Sequence, residues 1–388
     1  MRVGLAVFDD IESGLNLANS LYSAGADISM YLSRKHVVPY MNTERPLERI
    51  YELGFLPAAC KVRMFELPRI RDPRSLSVIR RIAHAAIRDD IDVLHILAGP
   101  GELWLAALSA FSRKIPVAAT MIIPKPNVGD SLPAFISIAI YKLLAKTSDI
   151  IIINGTDQIP LIQRLYGIEE SRVAYVPLGP RTTAGKWALQ STAEKPGTVL
   201  FFGEARRHKG LEYLVKAQPL VTRQVPNALF LIASRGEELE RCQRFIRDKD
   251  KFEIHKGFIP GDRAADFFQR ASVVVLPYLS ASTSGILMTA YIFGRPVVAT
   301  NVGCLPEYVE DGITGVLVPP ADIEKLAEAL VRLLSDPTKR CRMGEEARRW
   351  SDDREKRVAH DTLLAYERAI AIHRKRVIRN PKEDQRDH

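Results

Sequence analysis

Residues 198–215 read Thr198-Val-Leu-Phe-Phe-Gly203-Glu-Ala-Arg206-Arg207-His208-Lys209-Gly210-Leu-Glu-Tyr-Leu-Val215. An apolar run typical of a buried strand ends at Gly203, a basic turn follows, and the pattern after Gly210 indicates a helix. The N–H groups in the first turn of a helix lack partners within the helix and favour an anion. Arg206 and Lys209 add positive charge at the same place. The stretch therefore predicts a site for a diphosphate.

The size and charge of the chain limit what it binds. With 388 residues, 46% of them hydrophobic and 26% charged, it is expected to form two globular domains. The 55 Lys and Arg residues outnumber the 46 Asp and Glu residues, and the net charge of +9 favours nucleotide phosphates, an anionic membrane or nucleic acid. Nucleic acid is disfavoured, because the basic residues lack interleaved aromatic residues and a known reader motif.

The cysteines and the N-terminus indicate the compartment. Cys60, Cys242, Cys304 and Cys341 are scattered without metal-like spacing, so we expect reduced thiols, no metal and no cofactor. The first apolar run is short and ends at two acidic residues, Asp9 and Asp10, which is not typical of a signal peptide. No apolar run reaches 18 residues. The sequence predicts a cytoplasmic protein that does not span a membrane.

Short apolar runs alternate with helical patterns in both halves of the chain. Such alternation predicts parallel sheets covered by helices on both faces. A polar segment after Val176-Pro-Leu-Gly179-Pro180 interrupts the pattern, which then begins again at Thr198. The predicted division is 1–178, 179–355 and a helical, basic C-terminal part, 356–388. Helical character is expected after Asp353.

The basic turn has two interpretations. Arg206 and Lys209 either hold a diphosphate and neutralise charge on a departing nucleotide, or they form a solvated basic helix start. The strand–glycine–helix context favours the first interpretation. Arg207 is expected to point to water.

A second segment is rich in hydroxyl groups. It reads Leu276-Pro-Tyr278-Leu-Ser280-Ala-Ser282-Thr283-Ser284-Gly285-Ile286, a strand end followed by a loop and an apolar helix. The backbone N–H groups of Ser284, Gly285 and Ile286 would face a phosphate or sugar. Simple N-capping by Ser282, Thr283 or Ser284 explains the same pattern equally well.

Taken together, four segments resemble the nucleotide-sugar domain of the family-4 retaining glycosyltransferases. These are Gly203 to Gly210, the serine-rich loop, Gly294-Arg-Pro-Val-Val-Ala-Thr300, and Asn301 to Pro319. The resemblance covers residues 198–355, and residues 1–178 share it less closely. It implies α/β architecture with two Rossmann-like, doubly wound domains facing a cleft, the GT-B fold. The first domain would bind the acceptor, and the second the nucleotide-sugar.

The same resemblance implies an activity. It is retaining, metal-independent transfer of a hexosyl group from a UDP- or GDP-sugar to a glycan or lipid-linked acceptor. Gly203, the loop from Ser282 to Gly285, and Thr289 would contact the donor. Phe258 would lie beside the nucleobase, although core packing is the alternative for this residue.

The chain departs from the family pattern at several residues. Ala281 and Thr289 stand where two glutamates are usual, and Glu204 stands for an arginine. Arg206 matches a variant subgroup with the pattern Gly-x-x-Arg-x-x-Lys-Gly. On the acceptor side, Asn127 and Asp130 replace a usual histidine and glutamate. A front-side reaction, in which the departing phosphate accepts the proton, tolerates the missing base. A catalytically inactive binding or regulatory subunit and a phosphorylase are the competing functions.

Other features concern the first domain. Gly14 either brings a loop to the cleft or forms a plain turn with Ser13. His95 is expected to pack in or beside the sheet. The arginines at 69, 71, 74, 80, 81 and 88, with the lysine-edged apolar helix 131–146, either contact an anionic membrane at its inner face or form a solvated surface with an internal helix.

Overall fold

The computed structural model describes residues 1–67, 72, 74–98, 103–112, 114–122 and 134–379. The chain divides into two compact units. Unit 1 contains Met1–Gly179 together with the chain after Arg354, and unit 2 is Pro180–Arg354. Each unit is built on one sheet whose paired strands are all parallel.

Unit 1 has a seven-stranded sheet in the order β3-β2-β1-β4-β5-β6-β7. The strands are β1 (Arg2–Val7), β2 (Asp27–Ser33), β3 (Lys61–Phe65), β4 (Val93–Ala98), β5 (Val117–Met121), β6 (Ile150–Ile153) and β7 (Val173–Tyr175). The helices are α1 (Ile11–Ser23), α2 (Arg34–Met41), α3 (Pro46–Glu52), α4 (Arg74–Arg88), α5 (Leu103–Phe111), α6 (Ala134–Thr147) and α7 (Gln158–Tyr166). One face of the sheet shares a continuous apolar core with α4, α5, α6 and α7.

Unit 2 repeats this plan with six strands in the order β10-β9-β8-β11-β12-β13. The strands are β8 (Thr198–Glu204), β9 (Leu229–Arg235), β10 (Phe252–Lys256), β11 (Val273–Leu276), β12 (Val297–Thr300) and β13 (Gly315–Val318). The helices are α8 (Thr182–Lys186), α9 (Leu211–Gln224), α10 (Glu237–Gln243), α11 (Gly261–Arg270), α12 (Gly285–Ile292) and α13 (Ile323–Ser335). Helices α9, α10 and α13 share the core on one face.

The last helix, α14 (Pro337–Arg379), begins earlier than the sequence predicted. The expectation that helical structure starts after Asp353 is wrong. The side chain of Asp336 accepts a hydrogen bond from the N–H of Lys339 at 2.9 Å, and Pro337 occupies the first helical position. This pair is a typical helix start. The residues of α14 up to Arg354 belong to unit 2, and the later ones belong to unit 1.

The predicted turn at Ser13-Gly14 is also wrong, because both residues lie in the first turn of α1. Asp10 caps this helix and accepts a hydrogen bond from the N–H of Ser13 at 3.2 Å. A Cβ on Gly14 would lie 2.6 Å from Cγ2 of Val7. Glycine therefore lets α1 pack closely on β1.

In the described part of the chain, no helix is both long enough and apolar enough to cross a bilayer.

His95 connects the sheet of unit 1 to α14. It is 2% exposed on β4, and its ring nitrogens Nδ1 and Nε2 lie 2.7 Å from the hydroxyls of Tyr366 and Thr120. Burial disfavours the charged imidazolium and lowers the pKa of His95 to about 3. His95 is therefore a neutral core residue, as the packing interpretation expected.

This burial predicts a pH-dependent stability. Between pH 6.5 and 3 the unfolded chain binds a proton at His95 and the folded chain does not, so stability falls as the pH falls. From pH 7 to pH 5 the contribution lost is about 2 kcal/mol. We expect His95→Gln to lack this part of the pH dependence in urea unfolding measured at both pH values. His84→Gln, at an exposed site on α4, should keep the wild-type dependence; an unchanged dependence in His95→Gln would contradict this explanation.

Candidate functional site

The strand order of unit 2 reverses between β8 and β11. Strands β9 and β10 follow on one side of β8, and β12 and β13 follow on the other side of β11. In open parallel sheets the crevice outside the carboxyl ends of the strands, at such a reversal, is the usual ligand site. The two segments selected from the sequence come directly after β8 and β11, so the fold brings them to this point.

The end of β8 lies beside the start of α12. Gly203 has a φ of +103°, and a Cβ on it would lie 3.6 Å from Cδ1 of Ile286. The hydroxyl of Ser234, at the end of β9, donates to the carbonyl of Gly203 at 2.6 Å. The end of β8 therefore lies against the first turn of α12.

The basic turn is fixed against the segment after β11. Residues Arg207–Lys209 form one 3₁₀ turn that ends at Gly210, where φ is +67°. The N–H of Leu279 donates to the carbonyl of His208 at 2.7 Å. A Cβ on Gly210 would overlap the carbonyl oxygen of Pro277. Glycine is thus required here both for its backbone conformation and for the close approach.

Lys209 projects onto an aromatic ring of that segment. Its Nζ lies 3.9 Å from the ring centroid of Tyr278, which is 1% exposed. The face of a tyrosine ring attracts an ammonium group without neutralising its charge. Among the residues that the structure describes, no carboxylate forms an ion pair with Lys209. Its positive charge is therefore positioned and available for an anion.

Arg206 has a carboxylate neighbour. Its Nε lies 3.1 Å from Oε2 of Glu204, and the two side chains are 38% and 41% exposed. An ion pair this exposed contributes little stability. A ligand carrying more negative charge than one carboxylate can therefore compete for Arg206.

Helix α12 begins at the same site. Ser284 is its N-cap and accepts a hydrogen bond from the N–H of Leu287 at 3.4 Å, so N-capping accounts for the Ser284 side chain. The hydroxyl of Ser284 also lies 3.3 Å from that of Tyr278. The N–H groups of Gly285 and Ile286 have no carbonyl partner within the helix. They complete a cationic and N–H-lined corner beside Lys209.

The position of Arg181 at the start of α12 was not predicted from the sequence. A Cβ on Gly285 would lie within 2.5 Å of Cζ of Arg181, so the guanidinium rests on the first residue of α12. More than one hundred residues separate the two along the chain, and no local pattern connects them. Tyr278 was visible in the quoted motif, but its contact with Lys209 depends on the fold.

Two further donor-side residues have clear environments. Thr289 is 7% exposed, and its hydroxyl donates to the carbonyl of Gly285 at 3.0 Å. Phe258 follows β10 and is 55% exposed, so the core-packing interpretation is wrong. Ser282 and Thr283 are half-buried in the loop before α12.

Of the three residues predicted for the acceptor side, the structure describes only Gly14. Asn127 and Asp130 lie outside the described residues, as do Arg69 and Arg71. Gly14 is buried within α1 of unit 1.

The part of unit 2 that carries this corner matches a known family. Residues 196–336 match the family described as "Glycosyl transferases group 1". These residues form a glycosyl transferases group 1 domain. The resemblance to a glycosyltransferase domain is thus confirmed, whereas the family-4 assignment and the variant pattern stay predictions.

Curated relatives match over a stretch of similar length. The chain is 32% identical to alpha-D-kanosaminyltransferase of Streptomyces kanamyceticus over 152 residues, 38% of this chain and 39% of that protein. It is 34% identical over 154 residues to the GDP-mannose-dependent alpha-(1-6)-phosphatidylinositol monomannoside mannosyltransferase of Mycolicibacterium smegmatis, 37% and 40% of the two chains. The alignments thus span about two fifths of each relative's own length.

Solved structures match over nearly the whole chain. Sucrose-phosphate synthase from Thermosynechococcus elongatus superposes with a TM-score of 0.69 at 18% identity, covering 96% of this chain and 99% of that one. Anabaena HepE, in complex with UDP and glucose, gives a TM-score of 0.66 at 14% identity, covering 94% and 98%. With the strand orders of the two sheets, these similarities confirm the predicted pair of Rossmann-like domains of the GT-B fold.

The contact between Gly210 and Pro277 generates a stability prediction. Gly210→Ala introduces a side chain at positive φ and overlaps a backbone oxygen, whereas Gly312→Ala has only the first cost, because nothing lies within 4 Å of its Cβ at a φ of +78°. We expect the overlap to cost about 1–3 kcal/mol more, so that the melting temperature falls several degrees further in Gly210→Ala. Equal melting temperatures for the two variants would show that the turn does not depend on this approach.

Proposed function

We propose that the chain is a retaining glycosyltransferase that moves a hexosyl group from a nucleotide-sugar to a glycan or lipid-linked acceptor. The donor diphosphate binds in the corner between the basic turn and the N-terminus of α12. One observation carries this proposal: the Lys209 ammonium lies 3.9 Å from the Tyr278 ring centroid, at the reversal point of a glycosyl transferases group 1 domain. A cation held there is pre-organised for a phosphate.

The charges of the corner suit a leaving diphosphate. Negative charge grows on the diphosphate as the sugar departs, and charge-assisted hydrogen bonds to Lys209 and Arg206 strengthen with it. Arg206 exchanges its exposed pair with Glu204 for the more highly charged ligand. The N–H groups of Gly285 and Ile286 contribute at the positive end of α12.

The missing acceptor-side base is compatible with this chemistry. In the proposed front-side reaction, the acceptor hydroxyl attacks from the side of the departing diphosphate, which takes the proton. The protein then supplies positioning and electrostatics rather than a general base. Retention of the anomeric configuration follows from this geometry. Gly14, Asn127 and Asp130 are proposed to contribute to the acceptor side.

The ligands and substrates named for two similar proteins support a choice of nucleotide in the donor. The HepE structure holds UDP and glucose, and the mycobacterial relative uses GDP-mannose, so a UDP- or GDP-sugar is the proposed donor. That relative acts on a phosphatidylinositol monomannoside, which supports a lipid-linked acceptor as one of the two proposed classes. The exposed ring of Phe258 is proposed to contact the nucleobase, and Gly203, Ser282, Thr283 and Thr289 the sugar or ribose.

The cationic corner predicts the effect of two substitutions. Lys209→Ala and Arg206→Ala should each lower turnover at saturating donor by roughly 10²-fold or more, because each removes one pre-organised cation from the leaving group. Release of UDP or GDP from a panel of nucleotide-sugars gives the rate. Arg207→Ala, at an exposed site in the same turn, is the matched control and should change turnover much less.

The same assay separates the competing functions. Circular dichroism and melting temperature establish that each variant is folded. If Lys209→Ala and Arg206→Ala keep wild-type turnover, the phosphate-binding role is wrong. If the wild-type chain binds nucleotide but turns over no donor, the inactive binding subunit replaces the transferase.

A separate prediction concerns metal ions. Because Lys209 and Arg206 supply positive charge to the diphosphate, turnover should persist in EDTA. The measurement compares nucleotide release with chelator alone and after Mg²⁺ or Mn²⁺ is added back. Complete loss in chelator with recovery on either metal would mean that a divalent cation, rather than these side chains, neutralises the diphosphate.

A further inference from the structure

One helical layer of unit 1 contains no acidic residue. Helices α4, α5, α6 and α7 cover one face of the sheet, and none of them includes an Asp or Glu. They carry six cations besides Arg74, which pairs with Asp72. These are Arg80, Arg81, Arg88, Lys142, Lys146 and Arg164. Within the described residues, none of the six forms an ion pair.

Some cations elsewhere in the chain have carboxylate partners. Arg63 pairs with Asp89, and Arg270 pairs with Glu253. Asp89 and Asp90, which directly follow α4, are themselves paired with Arg63 and Arg2. These two acids therefore do not neutralise the layer. A surface with unpaired positive charge and no negative charge favours an anionic partner.

The same layer exposes apolar side chains. On α6 the residues Phe135, Ala139, Lys142, Leu143 and Lys146 recur at helical spacing and face outward. Phe135 is 72% exposed and Leu143 is 37% exposed. A helix with apolar side chains between lysines on its open face is typical of an interfacial membrane helix.

The neighbouring helices extend this surface. Helix α5 lies between α4 and α6 and has no charged residue. Arg80 of α4 lies over the ring of Phe111 on α5, with its Cζ 5.1 Å from the centroid, so this flank of α4 faces α5. Ile87 on α4 is 42% exposed. The outer face of these helices therefore has an uncharged centre, formed by α5, with basic residues of α4 and α6 on either side.

We propose that the outer face of α4–α6 docks on an anionic lipid bilayer. The basic residues meet the headgroups, and Phe135 and Leu143 enter the boundary with the acyl chains. Cations alone would suit any polyanion. The exposed aliphatic side chains of Leu143 and Ile87, by contrast, have no partner on a nucleic acid and suit the acyl boundary of a bilayer. The proposal concerns unit 1 alone and is tested without any nucleotide-sugar, so it stands or falls separately from the transferase activity.

The test is co-sedimentation of the full chain with vesicles. Vesicles of phosphatidylcholine are compared with vesicles that also contain phosphatidylglycerol, at low and high NaCl. Each basic residue near an anionic surface raises partitioning about fivefold. We therefore expect Lys142→Glu/Lys146→Glu to lower partitioning to the anionic vesicles at least tenfold. Phe135→Ser should weaken binding at both salt concentrations.

A charge-matched control separates this surface from net charge. Lys339→Glu/Arg342→Glu makes the same change of four charges at one half-buried and one exposed site on α14 in unit 2 and should leave binding unchanged. Equal losses in the two double variants, or equal binding to neutral and anionic vesicles, would overturn the proposal. Binding to single-stranded RNA but not to vesicles would also overturn it and assign the surface to a nucleic acid.

Discussion

The candidate site depends on the close approach of Gly210 to the carbonyl of Pro277. This contact and the hydrogen bond from Leu279 N–H to His208 join two segments that lie about seventy residues apart along the chain. Without it, Lys209 would have no ring beneath it, and the turn would be an ordinary basic loop. The positive charge acquires a fixed place because a glycine at positive φ lets two backbones meet.

Much of the architecture was predictable because parallel strands that are buried on both faces consist of nearly continuous apolar residues. Ile150–Ile153 is such a run, and the sequence predicted its bounds fully. The bounds of Phe252–Lys256 were also predicted, although this edge strand is only partly buried and includes charged residues. Strand β3 was not predicted, since its residues Lys61–Phe65 are only partly buried and alternate with charges at the sheet edge. The start of α14 was not predicted, although Asp336 and Pro337 form a typical capping pair.

The site itself was predictable in its parts but not in its assembly. The basic turn and the serine-rich loop were predictable because each follows an apolar strand and precedes a helix, and this pattern is visible in the local sequence. The roles of Tyr278 and Arg181 depend on contacts between distant segments, which composition and periodicity do not encode. The hydroxyl of Ser284 was an open choice between a ligand and a helix cap, and its geometry supports the cap. The phosphate contacts proposed for the start of α12 are then those of its backbone N–H groups.

The central claim is that a diphosphate binds between the basic turn and α12. A crystal structure of the chain with UDP or GDP, whichever raises the melting temperature more, tests it most directly. The account predicts phosphate oxygens within hydrogen-bonding distance of Lys209 Nζ and of the N–H of Gly285 or Ile286, with Arg206 turned from Glu204 towards the nucleotide. A well-ordered nucleotide whose phosphates lie away from Lys209 and α12 would contradict it.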